Sequence, residues 1–333
     1  MKTIDIHAHL VPRSLWAAVE AQRDWHGFHH EPGEGLGTLL SSDGVRTGFT
    51  SPKVRMTPEE RLRDMDGQSV DVHVVSIHTP LMGYHLDAVQ GLALAREVND
   101  EIAHMTREWP TRFAGLATLP VQDVDAAIKE LERAVTVLGL KGAELDTIAN
   151  GANWDEPRFL PLFKAAESLG AVLFFHPQPQ NNFMVQRAGG YGLSNSLGVI
   201  VEDAIVVAVL ILSGILEACP NLKACIAHGG GPACYAMGRI DRGWQNTPEA
   251  RRTIPRPPSS YQKQLYYDTV VGNEAALRFL LDQVGADRVV LGSDWPFVPW
   301  YPSPVTWLEG LDTISQQEKD KILWQNLESL LGL

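Results

Sequence analysis

Thr3-Ile4-Asp5-Ile6-His7-Ala8-His9 is a short β-branched run that closes on two histidines two residues apart. A period of two puts both imidazoles on one side of a strand. The same pattern, an apolar run ending in a chemically active residue, returns in Phe174-Phe175-His176-Pro177, in Ala227-His228-Gly229-Gly230-Gly231 and in Gly292-Ser293-Asp294-Trp295-Pro296. Eight such runs read as strands, over residues 3–7, 70–77, 113–119, 140–145, 171–175, 222–227, 265–268 and 288–292. Helical periodicity fills most of the gaps, over 87–109, 124–138, 157–169, 202–218, 274–284 and 316–331. Eight β-α alternations predict an α/β protein of TIM type, one closed (β/α)8 barrel domain over 1–333.

One interval breaks the rhythm. Residues 10–57 separate the first strand from its helix, too far for an ordinary loop, and carry Trp16, Trp25, His26, Phe28, His29, His30 and many glycines. An insertion at the C-terminal end of a barrel strand lies over the active-site mouth, so this segment is expected to form a lid or small cap. His26, His29 and His30 read as a solvated loop more readily than as a substrate cap.

Catalytic side chains of such barrels come from the ends of different strands, and here those ends are strongly biased. If His7 and His9 face the interior, both imidazoles converge on one ion. With His176 and Asp294 they offer three ring nitrogens and a carboxylate, a donor set that suits zinc and leaves room for water or substrate. Any one of these histidines alone would read as a hydrogen-bonded core residue; the set reads as a metal centre. His228 stays outside it, because three following glycines let the backbone turn tightly and approach a ligand. As a general acid/base it would take the proton of a metal-bound water, whose pKa zinc lowers toward ~7. Trp295, Phe297 and Trp300 supply either an apolar wall for a planar substrate or rim packing. Asp268 either orients a ligand from behind or caps the next loop. His73 belongs in the barrel wall and His78 nearer the mouth.

Composition narrows the partners. The chain has 333 residues, 44% of them apolar, enough for a sizeable core. Its 28 basic and 40 acidic residues give a net charge of -12 with no basic run, which argues against nucleic acid. No uninterrupted apolar run reaches the roughly 20 residues of a membrane span, and 205–216 reads as a buried barrel helix. The N-terminus shows no signal-type apolar region, so a cytoplasmic enzyme is expected. Cys219, Cys225 and Cys234, odd in number and without CxxC spacing, read as reduced core thiols.

Asp5-Ile6-His7-Ala8-His9, His176-Pro177, Ala227-His228-Gly229-Gly230-Gly231, Gly238-Arg239-Ile240 and Gly292-Ser293-Asp294-Trp295-Pro296-Phe297 together resemble the decarboxylase branch of the amidohydrolase superfamily. The similarity extends over nearly the whole chain, through Arg112-Phe113-Ala114-Gly115-Leu116-Ala117-Thr118-Leu119-Pro120 and Trp324-Gln325-Asn326. It implies one Zn2+ per chain, with another divalent ion such as Mn2+ as the alternative, held by His7, His9, His176 and Asp294. It further implies that His228 activates the metal water in a non-oxidative decarboxylation of a small planar acid, a carboxymuconate semialdehyde, a hydroxybenzoate or a hydroxypyridine carboxylate. Two arginines, Arg46 and Arg239, would hold substrate carboxylates, Arg239 reaching across a homodimer into the neighbouring site. The chain departs from the family pattern at Leu40-Ser41-Ser42-Asp43, where a lysine is expected, and at Gln178, where a tryptophan is expected. Glu144 stands where some binuclear relatives place a bridging carboxylate. A hydrolase, a deaminase or a hydratase would use the same donor set, and a non-catalytic barrel would leave it incomplete.

Overall fold

The computed structural model describes residues 2–180, 184, 187, 190–297 and 303–333. Strand β1 (Ile4–Leu10) is followed by three short strands, β2 (Phe28–Glu31), β3 (Thr38–Ser41) and β4 (Arg46–Gly48), and then by β5 (Val72–Ile77), β6 (Phe113–Gly115), β7 (Gly142–Leu145), β8 (Val172–Phe175), β9 (Lys223–Ile226), β10 (Tyr266–Asp268) and β11 (Val289–Val290). All eight expected strands form, some shorter than expected. They pair in parallel as two sheets, β1-β5-β6 and β11-β10-β9-β8-β7. Main-chain hydrogen bonds cross both gaps between the sheets. On one side Lys141 N–H meets Gly115 O at 2.8 Å and Ala117 N–H meets Gly142 O at 2.8 Å; on the other Ile6 N–H meets Leu291 O at 3.0 Å and His9 N–H meets Trp295 O at 2.7 Å.

The strands face two apolar layers. Ile4, Ile6, Val72, Val74, Phe174, Cys225 and Val290 belong to an inner cluster, and their neighbours along the strands pack outward with the helices. Helices Ala88–Glu108, Val124–Thr136 and Glu274–Val284 start on Asp87, Asp123 and Asn273, whose side chains accept main-chain N–H groups of the first turn. Pro58–Gly67 starts on a capping box between Thr57 and Glu60.

Three stretches differ from expectation. Residues 10–57 hold a helix (Arg13–Glu20) and the antiparallel sheet β2-β3-β4, whose second turn is made at Asp43-Gly44, with Gly44 at φ 87°. The helix expected over 202–218 begins at Val199 and breaks at Gly214, where φ is 82° and a Cβ would stand 2.9 Å from Thr253 O. The helix expected over 316–331 is interrupted by a wider turn at Lys321–Gln325, beyond which Asn326 Nδ2 donates to Ala286 O and Val289 O at 2.7 Å each. The run Ser194–Leu212 is helical and apolar enough, by length and composition, to cross a bilayer; in this fold it buries Val206, Val207, Leu210 and Ile211 in the core.

Candidate metal centre and active site

The first strand does more than alternate. Its register against β5 shifts between Asp5 and Ala8, and such a bulge re-aims the side chains that follow it. Ile4 and Ile6 therefore fill the inner cluster while His7, the next residue, rests on Phe174 with ring centroids 5.2 Å apart. His7 and His9 still share a side, Nε2 to Nε2 at 3.1 Å. Asp294 Oδ1 stands 3.3 Å from each of those nitrogens. The ring of His176, at the end of β8, meets His7 and His9 edge-on at 4.6 and 4.8 Å. One donor atom from each of His7, His9, His176 and Asp294 lies within 4.8 Å of all the others.

The protonation pattern decides what this cluster accepts. His7 Nδ1 lies 2.6 Å from Asp268 Oδ2, His9 Nδ1 lies 3.3 Å from Ile77 O, and His176 Nδ1 lies 2.8 Å from Pro177 O. Each acceptor fixes the ring proton on Nδ1 and leaves the Nε2 lone pair pointing inward. Bare lone pairs 3.1 Å apart repel, and His176 Nε2 is buried with no partner. Separations of 3.1–3.3 Å are those of donors sharing one ion at roughly 2.0–2.2 Å. Burial opposes charge on His7, yet Asp294 and Asp268 raise it well above the usual imidazole range, while burial and the other imidazoles push His176 well below it. The four groups thus call for one positive charge at their centre, and they fit a divalent cation.

Asp268 fills both roles considered for it: Oδ2 orients His7, and Oδ1 accepts Gly229 N–H at 3.1 Å and Val270 N–H at 3.0 Å. Glu144 is fully buried 3.7 Å behind His9 Nδ1 and contributes no atom to the four-donor group. Burial pushes its carboxyl well above the usual carboxylate range.

His228 ends β9 beside the cluster, its ring 4.9 Å from that of His176. Its Nδ1 lies 2.8 Å from Oδ2 of Asp203, a wholly buried residue of helix Val199–Leu212. Against the effect of burial, that carboxylate raises His228 above the ordinary imidazole value. The glycines serve this contact rather than a ligand: a Cβ on Gly231 would stand 1.9 Å from Ile200 O, so only glycine lets the Asp203 helix come this close. A cleft of about 420 Å³ opens here, lined by His228, Asp294, Gly231, Tyr235, Val271 and Phe279.

The expected substrate contacts divide. Phe297 lies beside the histidines, 5.8 Å from His9 and 4.4 Å from His78. Trp295 is 5% exposed and turned to the outer side of β1, where Arg61 stacks on it at 4.0 Å and Asp64 accepts its Nε1–H at 2.6 Å. Trp300 lies outside the described residues. Arg46 sits exposed on β4 in an ion pair with Glu31, away from the cluster. Arg239 is exposed on helix Ala233–Asn246. His29 pairs with Asp24 and His26 with Glu97, so these two insertion histidines are held by local carboxylates. His73 lies in the strand wall, accepting from Arg61 Nε at 3.1 Å, and Arg61 Nη1 donates to His9 O at 2.8 Å.

Two features have no counterpart in the sequence reading. Asp203 was signalled only by an acid pair, Glu202-Asp203, inside an otherwise apolar helix. The Arg61 buttress, which ties helix Pro58–Gly67 to the chain carrying His9 and to Trp295 beside Asp294, has no local signal at all.

Inward-facing imidazoles and a carboxylate at the ends of parallel strands define the class of metal-dependent enzymes that polarise small polar substrates. The chain belongs to the amidohydrolase family, whose model matches residues 4–333. It is 31% identical to 2-amino-3-carboxymuconate-6-semialdehyde decarboxylase of Dictyostelium discoideum, over 99% of this chain and 91% of that one. Its fold matches the crystal structure of 5-carboxyvanillate decarboxylase from Sphingomonas paucimobilis with a TM-score of 0.82 and 26% identity, covering 100% and 99% of the two chains. It also matches dihydroxybenzoic acid decarboxylase from Polaromonas sp. JS666, solved with manganese and 2-nitroresorcinol, with a TM-score of 0.77 at 24% identity over 100% and 97%. These relatives are decarboxylases, the branch that the strand-end motifs resemble.

Proposed function

We propose that the protein is a metal-dependent, non-oxidative decarboxylase of a small planar unsaturated or aromatic carboxylic acid. The observation that carries this reading is the convergence of three Nε2 atoms and Asp294 Oδ1 beside a fourth histidine whose Nδ1 is already engaged. His7, His9, His176 and Asp294 would hold one divalent ion per chain, zinc by the donor set, or manganese as in the Polaromonas relative. When bound, the ion serves as Lewis acid and template for the substrate. His228 carries the mobile proton at Nε2, because Asp203 occupies Nδ1, and delivers it to the carbon bearing the carboxylate. The bond to the carboxylate then breaks, its electron pair returns to the unsaturated system and CO2 leaves, so one proton is taken up per CO2 and no water is consumed. Phe297 flanks the planar substrate, and Asp268 keeps His7 aimed.

The chain is read as one domain over 1–333 in which the eight parallel strands close into a (β/α)8 barrel, a reading supported by the hydrogen bonds across both sheet gaps. Residues 10–57 are read as its lid, supported by ring contacts of Phe49 with His78 and of Phe28 with His85 at 6.3 and 5.2 Å. The assembly is read as a homodimer in which Arg239 reaches the neighbouring site. Supporting this, the same helix places Ala236 and Ile240 in an apolar hollow of about 660 Å³ shared with Val201, Ile205 and Val209. Arg46 would hold a substrate carboxylate by exchanging it for Glu31. Metal content of the purified protein, measured beside CO2 release from hydroxybenzoates, hydroxypyridine carboxylates and carboxymuconates, tests the reading. About one ion per chain with CO2 evolved supports it; two ions and no CO2 would shift it to Glu144 and hydrolysis.

A further inference from the structure

The interior around the metal centre is acidic and contains no basic side chain of its own. Glu144, Asp146, Asp203 and Asp268 are each at most 1% exposed, and Asp294 joins them at the cleft. Among the described residues the only buried lysine or arginine side chains are Arg61 and Lys319. Arg61 lies on the outer side of β1 against Trp295, and Lys319 donates to Glu309 O at 2.7 Å. A single divalent ion cannot offset all these carboxyls, so a second substrate carboxylate placed deep in this interior would meet like charge at low dielectric.

One of these acids is only half satisfied. β7 pairs Glu144 with Phe174, and His176 N–H bonds Leu145 O at 2.8 Å, which sets Asp146 alongside the metal-facing His176. Thr147 holds Asp146 Oδ1 through its N–H at 2.7 Å and its hydroxyl at 3.3 Å, and Trp154 Nε1 holds the Asp146 carbonyl at 2.9 Å. Oδ2 is buried without a partner. Tyr84, which follows β5, brings its hydroxyl beside Asp146 and Glu144, and that hydroxyl also lacks a partner, as does Ser76 Oγ. Leaving such groups unpaired costs stability, a cost that a ligand with matching groups removes. Sites built this way reject analogues lacking the matching group far more strongly than apolar pockets reject a missing methylene.

We propose that Asp146 and Tyr84 are specificity-determining residues that read a hydrogen-bond donor, a hydroxyl or an amine, on the side of the acid away from its scissile carboxylate, and exclude a second carboxylate from that side. The inference rests on the decarboxylase reading for the reaction and on the wall itself for recognition. The test is calorimetric titration of the metal-loaded protein with the ortho, meta and para amino- and hydroxybenzoates, the matching nitrobenzoates and benzenedicarboxylates, and benzoate as reference. At least one amino or hydroxy isomer binds about tenfold or more tightly than benzoate, the scale of one hydrogen bond to a charged acceptor, and every dicarboxylate binds more weakly than benzoate. Asp146→Asn brings the ratio of donor isomer to benzoate toward one. Tyr84→Phe lowers it several-fold and serves where the Asp146 variant fails to fold. A dicarboxylate that binds as well as the best donor isomer, or a ratio unmoved in a folded variant at either position, overturns the proposal. CO2 release is followed on the same acids: donor preference without CO2 defeats the decarboxylase reading and leaves the recognition standing, whereas CO2 without donor preference does the reverse.

Discussion

Replacing Asp203 with asparagine isolates the contact that gives His228 its direction. Asp203 Oδ2 accepts from His228 Nδ1 at 2.8 Å, and the residue is wholly buried. A buried hydrogen bond to a charged group contributes about 1.5–3 kcal/mol, which at about 1.36 kcal/mol per decade is roughly 10- to 160-fold in rate. The substituted amide would keep the shape of the carboxylate but not its charge. If its N–H turns toward Nδ1, the ring proton moves to Nε2 in the neutral state and the imidazolium loses its counter-charge, which places the loss at the upper end. The assay is steady-state kcat and KM on whichever acid releases CO2, with metal content measured on the same sample. We expect kcat to fall within that range, KM to change little and metal occupancy to hold, since Asp203 touches no ligand to the ion. A kcat within about twofold of the parent enzyme across the pH range, with normal metal, would refute the role assigned to Asp203 and weaken that of His228.

His228→Ala should retain metal and lose nearly all turnover, whereas His176→Ala should lose both; elemental analysis beside CO2 release separates the two outcomes. Chelation should lower the thermal midpoint by several degrees, and zinc or manganese should restore it, because an ion present at ~1,000 times its Kd stabilises the native state by about 4 kcal/mol; an unchanged midpoint would argue that no ion is held. Arg61→Met removes donors to His9 O and His73 Nδ1 and the stacking on Trp295, and should lower unfolding stability by about 3 kcal/mol, read as a shifted denaturant midpoint at constant slope; a shift below a third of that would mean the buttress is idle.

What could be read from the sequence follows from the range of the forces involved. Strand ends carry their chemistry locally: a β-branched run sets the period and the residue that closes it is the one presented, so His7, His9, His176, His228 and Asp294 are identifiable without tertiary information. The bulge within β1 is not, because a register shift is a property of the pair of strands, and only the partner β5 shows that Ile6 and His7 both turn inward. The small sheet lay between these cases. Asp43-Gly44 between apolar-alternating flanks is a hairpin signal, obscured by the glycines around it.

The arginines and the glycines show a second limit, that a residue type suits several partners and the sequence does not say which is nearest. Arg46 is chemically fit for a substrate carboxylate, yet β2 and β4 flank the same strand and Glu31 reaches it first. The three glycines after His228 read as room for a ligand because that is their commonest use at a strand end. Here the space is filled by main chain, Ile200 O against Gly231. The same approach carries Asp203, three residues further along that helix, to His228. An acid pair in a helix as apolar as Val199–Leu212 is costly unless something meets it. Glu202-Asp203 therefore constrained the fold more tightly than the glycines did: a buried carboxylate there requires a partner on the strand end it faces, and His228 is the strand-end donor that meets it.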